Sequence, residues 1–130
     1  MEKIIEAHKE HVSSFGLKCL KTPDEVDSFV ESGTKFIYVH SLCGCAGMKA
    51  LPVVEMMHEK GLTPKDGAFV FAGQDIEATL KAREYFLPNA PSSPAFIVLK
   101  NKEPVLFISR AEIQSSETEG MMNKILAAIS

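Results

Sequence analysis

The chain has 130 residues, 45% of them hydrophobic and 24% charged, with no tryptophan and a formal net charge of -3. That length predicts one domain over residues 1–130, large enough to bury roughly two thirds of its unfolded surface without a disulfide or metal staple. Charges of both signs are scattered, which argues against the basic stripe of a nucleic-acid partner, and no apolar run approaches the roughly 20 residues of a membrane helix. The start, Met1-Glu2-Lys3-Ile4-Ile5-Glu6, mixes acid and base and lacks a signal peptide's long apolar region, so a cytoplasmic location is expected. There are three cysteines, Cys19, Cys43 and Cys45. An odd, low count argues against a disulfide framework. In a reducing compartment, close-spaced thiols are more often catalytic, redox-sensing or metal-binding than structural.

Residues 2 to about 14 read as a helix, with Ile4, Ile5, His8, His11 and Val12 on one face. Leu17 to Leu20 is a short, edge-type strand. Thr22-Pro23-Asp24-Glu25 is a helix start: Thr22 caps, Pro23 suits the first turn and Glu25 completes a capping box. Ser32-Gly33 ends that helix. Phe36 to His40 is a continuous apolar run, which suggests a strand covered on both faces. A helical pattern follows to Lys60, with Pro52 inside it and a kink expected there. Ala68 to Ala72 is a second buried strand. Gly73-Gln74-Asp75 opens a helix to Phe86, with Asp75 and Glu77 at its positive end. Pro88, Pro91 and Pro94 keep the next stretch irregular. Ala95 to Lys100 and Pro104 to Ser109 form a hairpin around Asn101-Lys102, and Glu117 to Ser130 is a closing amphipathic helix. The order α β α β α β α β β α predicts an α/β fold, a central mixed sheet with helices on both faces.

The chemistry concentrates at Ser41-Leu42-Cys43-Gly44-Cys45-Ala46, where a strand turns into a helix. The thiolate is the nucleophile, and the unpaired N–H groups and positive dipole of a helix N-terminus favour it. Cys43, at the loop tip, is the expected attacking thiol. Cys45, nearer the helix body, is the resolving or modulating thiol. Gly44 supplies the backbone freedom that a one-residue spacing needs. A disulfide in so small a ring is strained, and strained disulfides are the labile, oxidising kind. The pair should therefore prefer the dithiol state.

These features resemble a known family, the bacilliredoxins, thioredoxin-like proteins with a Cys-X-Cys site. The resemblance runs from about Glu25 to Ile129. It is carried by Ser41-Leu42-Cys43-Gly44-Cys45-Ala46, Phe71-Ala72-Gly73-Gln74-Asp75 with Glu77-Ala78-Thr79, Arg83-Glu84-Tyr85-Phe86, Ala90-Pro91-Ser92-Ser93-Pro94 and Arg110-Ala111-Glu112-Ile113. It implies a thioredoxin-like fold and removal of bacillithiol from protein mixed disulfides. Cys43 would take the bacillithiol onto itself. A second low-molecular-weight thiol or a flavin disulfide reductase would restore it. The implied partners are S-thiolated client proteins and that thiol. Bacillithiol is a co-substrate, and no resident cofactor or metal is needed. Gly44, Gln74, Asp75, Ser93 and Pro94 would lie against the substrate. In thioredoxin-like folds a cis proline just before a strand lies beside the redox loop, so a cis Ser93–Pro94 bond is expected. His40 departs from the family's neutral polar residue. Protonated, it would lower the Cys43 pKa; neutral, it could accept the Cys43 proton. A thiol that forms mixed disulfides can also shuffle them, so weak isomerase activity is expected.

Three bland readings compete. Two buried small hydrophobes would not need a glycine between them. A metal-binding or metal-transfer module could draw on His40, Cys43 and Cys45, with His58 or Cys19 as fourth ligand, although a lone Cys-X-Cys departs from structural zinc spacings. A non-catalytic scaffold would not need an intact dithiol. Cys19 reads as a strand filler, His8 and His11 as helix-surface residues, and the methionines as core.

Overall fold

The computed structural model describes the backbone of residues 2–41 and 44–130 and the side chains of 3–41 and 49–130. The described elements are α1 (Glu2–Ser13), β1 (Lys18–Cys19), α2 (Pro23–Val30), β2 (Thr34–His40), α3 (Gly44–Glu59) and β3 (Gly67–Phe71). They continue with α4 (Ile76–Phe86), β4 (Ala95–Lys100), β5 (Glu103–Ile108), α5 (Arg110–Ser115) and α6 (Thr118–Ile129). The five strands form one mixed sheet in the order β1-β3-β2-β4-β5. β1, β3 and β2 are parallel; β4 is antiparallel to β2, and β5 to β4.

Alternation along each strand feeds two separate cores. Phe36 and Tyr38 of β2, Phe69 of β3, and Phe96 and Val98 of β4 join one cluster with Val12, Val53, Val54, Met57, Ile113, Met121 and Ile125. Ile37, Val39, Ala68, Val70, Ile97 and Leu99 point the other way, onto Val26 and Val30 of α2 and Ala78 and Ala82 of α4. Both faces are covered, which is why these strands read as unbroken apolar runs.

Local chemistry sets several boundaries as expected. Thr22 Oγ1 accepts from Glu25 N at 3.2 Å and caps α2, and Glu25 Oε1 accepts from Lys21 N at 3.0 Å. Asn101 and Lys102 carry φ of 50° and 73°, the left-handed pair of a tight hairpin turn. Asn101 also ties that turn to the end of α2, its Oδ1 accepting from Gly33 N at 3.1 Å.

Two expectations are corrected. α5 is an additional helix: β5 ends at Ile108, and Ser109 Oγ accepts from Glu112 N at 3.3 Å to cap it. α4 starts at Ile76 rather than Gly73, because Gly73 turns at φ +88°. α3 continues through Pro52, which lies inside it as expected.

Candidate functional site

The expected site residues with described side chains, His40, Gln74, Asp75, Ser93 and Pro94, gather at one end of the sheet. β2 runs out at His40, which pairs with Phe71, the last residue of β3. Ala72 N donates to His40 O at 2.9 Å, and Gly73-Gln74-Asp75 follow directly. On the other side, Ala95 pairs with Val39. The Ser93–Pro94 peptide, cis as expected, therefore sits beside the same strand end. Pro94 is buried and Ser93 half-buried. α3 begins at Gly44, only four positions after His40. Cys43 lies outside the described residues. Cys45 and Gly44 contribute backbone to the first turn of α3, and the Cys45 side chain lies outside the description.

Two polar clusters line this end. In the first, Tyr38 Oη and His40 Nδ1 are 2.9 Å apart, both side chains buried. This follows from strand periodicity: residues two apart share a face. The His40 ring stacks edge-on against Phe71 at 4.8 Å and faces the His8 ring of α1 at 5.7 Å. His40 Nε2 and His8 Nδ1 are both buried without a hydrogen-bond partner. Burial pushes the His40 pKa down to about 4, with smaller contributions from His8 and His11. His40 is therefore neutral at pH 7, which favours the neutral one of the two alternatives that the sequence left open. His8 is half-buried against this cluster rather than a helix-surface residue.

In the second cluster, Lys9 of α1 reaches Asp75. Its Nζ donates to Oδ1 at 3.2 Å and lies 3.1 Å from Oδ2. Asp75 occupies the N-cap of α4 but makes no side-chain cap bond, since its carboxylate is turned to Lys9. Ile5, Glu6, Lys9, Gln74 and Asp75 line an open cleft of about 260 Å³. Gln74 and Asp75 thus join a polar wall completed by α1. Near the proline, Ser92 Oγ accepts from Arg110 N at 2.7 Å and donates to Pro94 O at 3.3 Å, pinning the turn before β4 to the start of α5.

One of the further ligands considered for a metal, His58, lies away from this end of the sheet. His58 is exposed in the last turn of α3, fourteen residues from Gly44 and so roughly 21 Å along the helix. Cys19 is half-buried at the edge strand, its thiol pKa raised chiefly by burial. Among the described residues no group of three or more His, Cys, Asp or Glu could hold a metal ion. None of their helices is long and apolar enough to cross a membrane.

Tyr38, His8, Lys9 and Ser92 are the site components that the sequence did not single out. For His8 a signal existed: it falls on the apolar stripe with Ile5 and Val12.

Comparison with known proteins fits this geometry. A family model described as disulphide isomerase matches residues 1–130. A bacilliredoxin of Halalkalibacterium halodurans is 41% identical over 98% of this chain and 90% of its own length. One of Geobacillus kaustophilus is 40% identical over the same shares, 98% and 90%. Among solved structures, Malassezia sympodialis thioredoxin superposes with a TM-score of 0.61 at 16% identity, covering 88% of this chain and 91% of that one. Reduced Schistosoma mansoni thioredoxin gives 0.57 at 22% identity, covering 83% and 96%. The fold is thioredoxin-like, and the chain belongs to the bacilliredoxin family.

Proposed function

We propose that this thiol–disulfide oxidoreductase removes bacillithiol from mixed disulfides on client proteins, with Cys43 as the attacking thiol. The Cys43 thiolate attacks the bacillithiol sulfur of the client disulfide. The client leaves as a thiolate and is protonated, and a Cys43–bacillithiol disulfide forms. A second bacillithiol, or Cys45, then attacks that disulfide. In the first case bacillithiol disulfide leaves. In the second a Cys43–Cys45 disulfide forms and bacillithiol leaves. A flavin disulfide reductase supplies the two electrons that return either product to thiols. No resident cofactor takes part, and disulfide shuffling is a weak side activity.

The observation that carries the reading is the convergence at one sheet end of the β2 terminus, the start of α3, the cis Ser93–Pro94 bond and the Gly73-Gln74-Asp75 turn. Ser93 offers backbone groups to an extended substrate at that edge, and Gln74 and Asp75 line the adjoining cleft. Gly44 allows close approach of the substrate backbone. The test uses reduced protein with one client thiolated either by bacillithiol or by glutathione. Faster release of the free client from the bacillithiol form is expected. Equal rates would remove the thiol preference, and no release from either would remove the reading.

A further inference from the structure

We propose that α1 is a hinged cover that opens by itself, pivoting within residues 12–16 while the sheet and the other helices stay folded, and that its opening lays bare the wall formed by Gln74 and Asp75. The inference concerns a motion of the fold and stands apart from the thiol chemistry proposed above.

α1 is lightly anchored. Of its side chains from Lys3 to Ser13, only Val12, in the last turn, is buried. Ile5, His8 and Lys9 are half-buried, and the others are exposed. By contrast, α3 places Ala50, Val53, Val54 and Met57 in the core, and α6 places Met121 and Ile125 there. Packing of an apolar face supplies most of a helix's stability in a protein, and the first two turns of α1 have little of it. The chain leaves α1 through Gly16 at φ +92°, and Leu17 is again buried. Anchor and turn therefore lie together at the C-terminal end of the helix, where a hinge can absorb the motion.

The polar contacts under α1 also favour opening. His8 Nδ1 and His40 Nε2 are both buried without a hydrogen-bond partner, on rings 5.7 Å apart. A buried polar atom left unpaired costs free energy that water returns, so withdrawing His8 offsets part of the cost of opening. Lys9 ties α1 to Asp75, with Nζ 3.1 Å from Oδ2. Each member of that pair has an alternative. Lys9 is hydrated once α1 withdraws. Asp75 occupies the N-cap position of α4 without a side-chain cap bond, so a released carboxylate lies beside the unpaired N–H groups of that helix. A segment with few buried apolar contacts opens at a free energy well below that of the whole domain. Ile5, Glu6 and Lys9 form one wall of the 260 Å³ cleft, and Gln74 and Asp75 the other. Opening removes the first wall and turns a cleft for a small molecule into a shelf that a protein segment can reach.

Hydrogen exchange of the reduced protein at pH 7, read by mass spectrometry over a series of low urea concentrations, tests this. In wild type the amides of residues 7–11 should be roughly a hundredfold less protected than those of β2 and α6, and their exchange should be nearly independent of urea. Val26→Ala, in the core on the other face of the sheet, should lower the protection of β2 and α6 about tenfold or more and leave that of α1 unchanged. His8→Phe removes the unpaired Nδ1 and keeps a ring against Phe71, so it should raise the protection of α1 about tenfold. Asp75→Asn strands Lys9 in the closed form and should lower it about tenfold. An α1 as protected and as urea-dependent as β2 would overturn the proposal, since α1 would then unfold only with the whole domain. So would an α1 that loses protection in Val26→Ala, or one that gains none in His8→Phe.

Discussion

Burying a neutral histidine at the end of β2 makes the fold acid-sensitive in a defined window. His40 titrates near 6.5 when unfolded and near 4 when folded. Between these values the unfolded chain binds more protons than the native one, so stability rises with pH. The contribution is complete above about pH 6.5 and is lost as pH falls through about 4. Each tenfold in proton affinity is worth about 1.36 kcal/mol. The full loss is therefore about 3 kcal/mol, of which about 2 kcal/mol is already gone at pH 5. That is a substantial fraction of a small domain's stability of roughly 5–15 kcal/mol. His40 is only 3% exposed, so solvent screening discounts the figure little. The assay is urea unfolding of wild type and His40→Gln at pH 7.5, 6, 5 and 4. Other titrating groups are common to both proteins and cancel in the difference. Relative to His40→Gln, wild type should lose about 3 kcal/mol on going from pH 7.5 to pH 4. A pH-independent difference would refute the argument. A wild type that gains relative stability on acidification would reverse its sign and make His40 a cation in the native state.

Further expectations concern the elements around the site. Lys9 and Asp75 are each 14% exposed. A double-mutant cycle with Lys9→Met and Asp75→Asn should give a coupling of about 1–2 kcal/mol by urea unfolding, because either single change strands a mostly buried charge. Additive changes would mean the pair is no more than a surface contact. Phe96 stacks on Tyr38 at 5.2 Å and Phe36 at 6.1 Å, so Phe96→Ala should cost about 3–5 kcal/mol in equilibrium denaturation. A loss under about 1 kcal/mol would mean the core closes over the gap. Gly67→Ala would put a Cβ 2.7 Å from Leu17 Cδ2 and 3.2 Å from Pro64 O, and should destabilise by about 1–3 kcal/mol. An unchanged unfolding midpoint would show that Leu17 moves aside freely.

What the sequence revealed depended on range along the chain. Capping at Thr22 and Glu25 and the Asn101-Lys102 turn involve neighbours a few residues apart, and their residue types declare them. Phe36 to Val39 announced a doubly covered strand because its alternate residues enter different cores. α5 was missed because six residues with one buried side chain, Ile113, show no period. Its cap, Ser109 with Glu112, was legible but was absorbed into the preceding strand. The contacts that shape the site join distant positions. Lys9 and Asp75 are 66 residues apart, and His8 meets His40 across α1 and β2. Only the fold brings them together. Asp75 shows the limit of local reasoning: its place at the positive end of α4 was legible, and its ion pair with Lys9 was not.

The central claim is that Cys43 takes the thiol from the client. Its most direct test is the intact mass of Cys45→Ala and Cys43→Ala after exposure to a bacillithiolated client. One bacillithiol adduct is expected on Cys45→Ala, mapped by peptide analysis to Cys43, and none on Cys43→Ala. An adduct on Cys43→Ala, or none on either protein, would contradict it.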